Sequence, residues 1–264
     1  MTGLLKMLGF GSRNKFAGME MPGSTECWAY LLSGLCLTLL CVGLFASQPG
    51  LDLNVSSKAF VDGRFPWFYD SEIHSIRRPV LWLIALFYAV TIYCGLKSFS
   101  IQKPVLRFEW HHWSFLSAAA LAGPVLLINV ILKGNWGRAR PMDVTEFGGA
   151  ANFTPFWEFT DQCSANCSFA SGEVSAVAML FSSLAMISTK RNRFLILLTG
   201  LAATILVAIL RIGMGAHFLS DTIMAVALML IIASITYSVF FLRDHNWIDR
   251  MNAAQAQKIQ KEKP

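Results

Sequence analysis

Apolar residues run through this chain in long blocks broken by short polar connections. A bilayer core takes about 20 helical residues to cross, within a range of ~17–25. Six blocks meet or approach that length: 28–46, 79–97, 113–132, 174–188, 194–210 and 218–242. The fourth is the shortest and carries Ser175, Ser182 and Ser183. Lipid cannot satisfy exposed backbone groups, so such blocks must be helical, and none shows the two-residue alternation of a barrel strand. The pattern predicts an all-α fold: a polytopic membrane helix bundle with about six transmembrane helices. It fills 28–242 as one domain, between an amino-terminal segment, 1–27, and a polar tail, 243–264.

The connections give an orientation. Most of the 22 Lys and Arg residues fall on one side: in the amino-terminal segment, around Lys97, Lys103 and Arg107, in the tight turn with Lys190, Arg191 and Arg193, and in the tail. Cytoplasmic loops carry that excess, so both termini are expected in the cytoplasm. Residues 1–22 lack the apolar centre of a cleavable signal peptide, which makes the first block a retained anchor. Residues 1–15 suit an amphipathic segment on the inner leaflet.

Composition agrees with a bilayer as solvent. The chain is 55% hydrophobic and only 14% charged, against about 25% charged in soluble domains. The net charge of +6 comes with no basic stripe interleaved with aromatics, which excludes nucleic acid as a partner. Cys27, Cys36, Cys41 and Cys94 lie in or beside apolar blocks, as small hydrophobes do. Cys163 and Cys167 stand in the outer connection 133–173 at C-x3-C spacing. An oxidising face allows a disulfide there; half of a metal site is the rival, although no second ligand pair accompanies them.

Ionisable residues at membrane depth are costly and mark function. Three patches stand where outer connections meet helix ends: one from Lys133 to Arg140 and Pro141, one around Ser171, Gly172 and Glu173, and one holding Arg211, His217 and Asp221. His217 and Asp221, four apart at a helix start, share a face. A carboxylate there accepts a hydrogen bond from one ring nitrogen and leaves the other free to attack. Lys133, Arg140 and Arg211 match phosphoryl oxygens, and the N–H groups at Ser171 and Gly172 hold another. Singly, each patch has an ordinary reading: a solvated pair, headgroup anchors, a helix start. His74, Arg77 and Arg78 read as outer headgroup anchors, and His111, His112 and Trp113 as inner interfacial rings.

Together, and in this order, the patches resemble the type-2 phosphatidic acid phosphatase superfamily of membrane lipid phosphatases, with its signature K-x6-R-P, P-S-G-H and S-R-x5-H-x3-D. Lys133-x6-Arg140-Pro141 matches the first part, and Arg211-x5-His217-x3-Asp221 matches the third, with Leu210 in place of serine. The resemblance implies a phosphate cradle of Lys133, Arg140, Ser171, Gly172 and Arg211. It implies His217 as nucleophile through a phosphohistidine, Asp221 as its orienter, and neither metal nor cofactor. The middle part departs: Ala170 replaces proline, and Glu173 replaces the histidine that protonates the leaving oxygen. Glu173 is the candidate acid in its place. A leaving group needing less help fits the change, so the expected substrate is a lipid A 1-phosphate, as in a similar bacterial subgroup. A polyprenyl diphosphate or phosphatidylglycerophosphate is the alternative. Phosphotransfer and non-catalytic binding or transport of a lipid phosphate are the competing activities. The expected setting is a bacterial inner membrane with the site on the periplasmic face.

Overall fold

In a computed structural model the described residues are 24–242, Arg107 excepted. The amino-terminal segment and polar tail fall almost wholly outside them. Helix α1 is Ser24–Ser47, the short α2 is Leu51–Ser57, α3 is Pro66–Tyr69 and α4 is Ser71–Ile101. Helix α5, Trp110–Ala120, runs on through a π-helical stretch, Leu121–Leu132, to Lys133–Asn135. Then come α6 (Gly172–Met186), α7 (Lys190–Gly213) and α8 (Leu219–Tyr237), which ends in a π turn, Ser238–Leu242. Among the described residues there is no extended strand, only isolated bridges.

Among the described residues five helices are long and apolar enough to cross a membrane, and Gly172–Met186 is a shorter apolar sixth. That short helix is the centre of the bundle: α4, α5, the π-helical stretch, α7 and α8 all pack on it. Protein rather than lipid surrounds it, so it tolerates serines. Ser182 Oγ donates to Ala178 O (2.7 Å) and Ser183 Oγ to Met179 O (2.6 Å), which satisfies both hydroxyls within the helix. The outer helices are the reverse. Leu39, Trp82 and Phe194 are 71%, 75% and 68% exposed, an apolar belt that only lipid can cover.

One helix begins earlier than its apolar block suggests. Helix α4 starts at Ser71 because the Asp70 carboxylate caps it, accepting from Glu72 N (2.8 Å) and Ile73 N (3.2 Å). Arg77 and Arg78 therefore lie on the helix instead of in a loop. At the same end of the bundle a second, aromatic core gathers Phe65, Val144, Phe147 and Phe218. The rings of Phe65 and Phe147 meet edge to face at 5.4 Å. This core ties the connections after α2 and α5 to the start of α8. Gly215 adopts φ +62, and a Cβ there would come within 2.5 Å of the Phe65 ring. Only glycine makes that turn without strain.

Candidate active site

The three patches meet at this end of the bundle, stitched by backbone hydrogen bonds. Met142 N donates to Gly215 O (3.0 Å), Cys167 N to Lys133 O (3.3 Å), Ser168 N to Arg138 O (2.8 Å) and Ser171 N to Asp221 O (3.4 Å). Residues distant in sequence are thereby held around His217.

His217 is buried, and its Nδ1 lies 2.7 Å from Ser168 O. A carbonyl only accepts, so Nδ1 carries the proton and Nε2 keeps its lone pair. Burial pushes the His217 pKa well below 6.5, and the charges of Arg211, Lys133 and Arg140 push the same way. The ring is a neutral imidazole with a free nitrogen.

Asp221 was expected to hold this ring directly. It stands 3.9 Å from Nδ1, too far for a hydrogen bond. Its oxygens are taken elsewhere: Oδ1 by Arg138 Nη1 (2.5 Å), and Oδ2 by Ser168 Oγ (2.5 Å) and Phe218 N (2.9 Å). Asp221 thus fixes Ser168, and the Ser168 carbonyl fixes His217.

Behind Asp221 lies a charge network that the motif reading missed. Arg138 is fully buried and bonds through every nitrogen: besides Nη1, Nε donates to Thr154 O (2.9 Å), and Nη2 to Asp52 Oδ2 (2.8 Å). Asp52 also accepts from Ser220 N (2.9 Å) and Ser220 Oγ (2.5 Å). The guanidinium stacks over the Phe218 ring at 4.4 Å. Asp52 is an acid in an outer connection with nothing in its spacing to connect it to Arg138.

The cations of the expected cradle have fewer protein partners. Lys133 Nζ donates to Asn166 Oδ1 (3.4 Å) and Arg140 Nη2 to Asn166 O (2.7 Å). Among the described residues, the buried Ser171 Oγ and Arg211 Nε have no hydrogen-bond partner. At Gly172 a Cβ would lie 2.7 Å from Asn129 Oδ1 and 3.4 Å from Lys133 Nζ. Glycine there lets the start of α6 approach the lysine closely.

Glu173, expected to donate a proton, is clamped instead. Arg77 Nε reaches both its oxygens (3.1 and 3.0 Å), Arg77 Nη2 also bonds Oε1, and Arg211 Nη1 is 3.3 Å from Oε1. Paired in this way, both oxygens act as acceptors. Arg77, expected to be a headgroup anchor, therefore pairs with Glu173 beside Arg211. Cys163 and Cys167 are joined as a disulfide, with Cα atoms 5.6 Å apart. His74 bonds Phe68 O (2.8 Å), and His111 pairs with Glu109 (2.6 Å); neither joins the cluster.

The buried network gives a stability test. Removing one partner of a buried ion pair costs about 3–5 kcal/mol, because the other charge is stranded. Arg138→Met is expected to lose about that much in thermal unfolding in detergent, whereas Arg138→Met with Asp52→Asn recovers part of it. Equal stability of the single variant and the parent would mean the network carries no load.

Comparison with known proteins fits this geometry. A family model described as the PAP2 superfamily matches residues 111–244. A Lipid A 4'-phosphatase of Rhizobium etli is 40% identical over 197 residues, covering 68% of this chain and 75% of that one. One from Rhizobium leguminosarum is 30% identical over 206 residues, covering 69% and 84%. One from Francisella tularensis subsp. novicida is 25% identical over 219 residues, covering 80% and 96%. These relatives are named for the 4' position, so the expected 1-phosphatase subgroup is not matched. The crystal structure of a transmembrane PAP2 type phosphatidylglycerolphosphate phosphatase from Bacillus subtilis shares the fold, with a TM-score of 0.51 at 18% identity over 81% of this chain and 94% of that one. With its helices, site order and relatives taken together, the chain belongs to the PAP2 superfamily and is an integral membrane phosphatase.

Proposed function

We propose that this protein removes the 4'-phosphate of lipid A, at the periplasmic face of a bacterial inner membrane, through a phosphohistidine on His217. The observation that carries the reading is two buried donors, Ser171 Oγ and Arg211 Nε, without acceptors among the described residues, near an imidazole held toward its neutral form. A buried donor without an acceptor is costly, and phosphoryl oxygens are the acceptors that suit a guanidinium and a hydroxyl. The 4' position is supported by the names of the relatives. It replaces the 1-phosphate that the Glu173 substitution suggested.

His217 Nε2 attacks phosphorus as the P–O bond to the sugar breaks, and the leaving oxygen takes the electron pair. Lys133, Arg140 and Arg211 neutralise the charge that builds on the phosphoryl oxygens. Water then attacks the phosphohistidine, the P–N bond breaks and inorganic phosphate leaves. Glu173 holds Arg77 beside Arg211, so the leaving side of the site is met by a guanidinium, and the leaving oxygen takes its proton from water. Glu173 is a positioning residue in this scheme, not the acid.

Three outcomes check this. His217→Ala is expected to lower phosphate release from lipid A by more than about 10³-fold, and a variant retaining most of the activity contradicts the nucleophile. The lowered His217 pKa keeps the ring unprotonated through neutral pH, and the nucleophile is lost only as pH falls through that lower value. The acid limb of kcat/KM is therefore expected below pH 6.5; a limb at or above 6.5 contradicts the buried, cation-facing ring. Glu173→Gln is expected to slow a sugar phosphate and a diphosphate lipid by similar factors. A much larger loss on the sugar phosphate would restore Glu173 as proton donor.

A further inference from the structure

The turn from Cys163 to Cys167 belongs to none of the three motifs, yet it bonds the first, and Ser168 just after it bonds the third. Asn166 within it has φ +50, a left-handed backbone that asparagine tolerates better than most residues. In that conformation its backbone carbonyl accepts from Arg140 Nη2 (2.7 Å) while its side-chain oxygen faces Lys133 Nζ (3.4 Å). The two residues that follow are fixed to the backbone of the first motif, Cys167 N to Lys133 O (3.3 Å) and Ser168 N to Arg138 O (2.8 Å). Ser168 O then receives His217 Nδ1. The disulfide joins buried Cys167 to Cys163 and closes the turn around Asn166.

Lys133 and Arg140 repel each other, and their separation sets which anion fits between them. A neutral acceptor placed against both steadies them without the competing charge an aspartate would bring. An open three-residue turn on the surface would sample many conformations; a covalent closure removes most of them.

We propose that the disulfide-closed turn 163–167 is a positioning device of the phosphate site, with Asn166 its working residue, setting the spacing of Lys133 and Arg140. The proposal rests on the phosphatase reading above. Closure is an oxidation, so an external dithiol reverses it: the S–S bond breaks, two cysteine thiols form and the dithiol becomes a disulfide.

The test compares the parent with Asn166→Gly, which keeps the backbone conformation and loses the Lys133 contact, and with the double variant Cys163→Ser, Cys167→Ser. Purified protein in detergent is assayed for kcat and KM on lipid A, for inhibition by inorganic phosphate, and for thermal unfolding. In both variants KM and the inhibition constant of phosphate are expected to rise together by about 3–10-fold, with kcat little changed. Should the double variant fail to fold, dithiothreitol on the folded parent gives the same reading. Unchanged KM and phosphate inhibition, with or without a lower unfolding temperature, overturn the proposal, as does a fall confined to kcat. His217→Ala separates the two levels. If it is inactive while the turn variants bind phosphate as the parent does, only the positioning role fails; if it is active, the phosphatase mechanism itself fails.

Discussion

A guanidinium taken out of water must have every donor met, or the fold loses several kcal/mol. Arg138 bonds through each of its three nitrogens, to two carboxylates, a serine hydroxyl and a backbone carbonyl, drawn from α2, the connection after α5 and the start of α8. The arrangement of the site depends on that junction. It fixes Asp221, which fixes Ser168, which holds the ring of His217 through Nδ1. A shift of any one of these shells would be felt at His217.

Arg211 is the complement of Arg138. Both are buried, but Arg211 Nε and the nearby Ser171 hydroxyl lack protein acceptors among the described residues. Arg138 bonds through all three nitrogens, whereas Arg211 reaches Glu173 through Nη1 and leaves Nε without an acceptor among the described residues. The two acids also differ. Asp221 is enclosed by the donors of Arg138, Ser168 and Phe218, whereas Glu173 pairs with Arg77 and Arg211.

The helices were legible because a bilayer imposes length and apolarity on any segment that crosses it. Only α6 was weak in the pattern, since burial among other helices frees it from both demands. That Lys133, Arg140 and Arg211 gather near His217 was legible from the three motifs and their order. The partners were not. Arg77 and Glu173 are 96 positions apart, and Arg138 reads as one more charge beside Arg140. The contact that orients His217 comes from a backbone carbonyl, which no side-chain pattern reveals. That is also why the His217–Asp221 spacing suggested a direct bond where the structure has Ser168 between them. The expected 1-phosphate, which the relatives' names do not match, rested on Glu173 alone. Glu173 was weighed as a weakened acid, without the Arg77 that makes it an ion-pair partner.

The central claim is that His217 becomes covalently phosphorylated. Acid-sensitive, base-stable phosphate can be trapped by rapid quenching of the enzyme with lipid A carrying radiolabelled 4'-phosphate, and located by peptide mapping. The account predicts label on the peptide containing His217, absent from the His217→Ala variant and discharged by water as inorganic phosphate. Turnover at the parent rate with no label on that peptide, or with label on another residue, would contradict it.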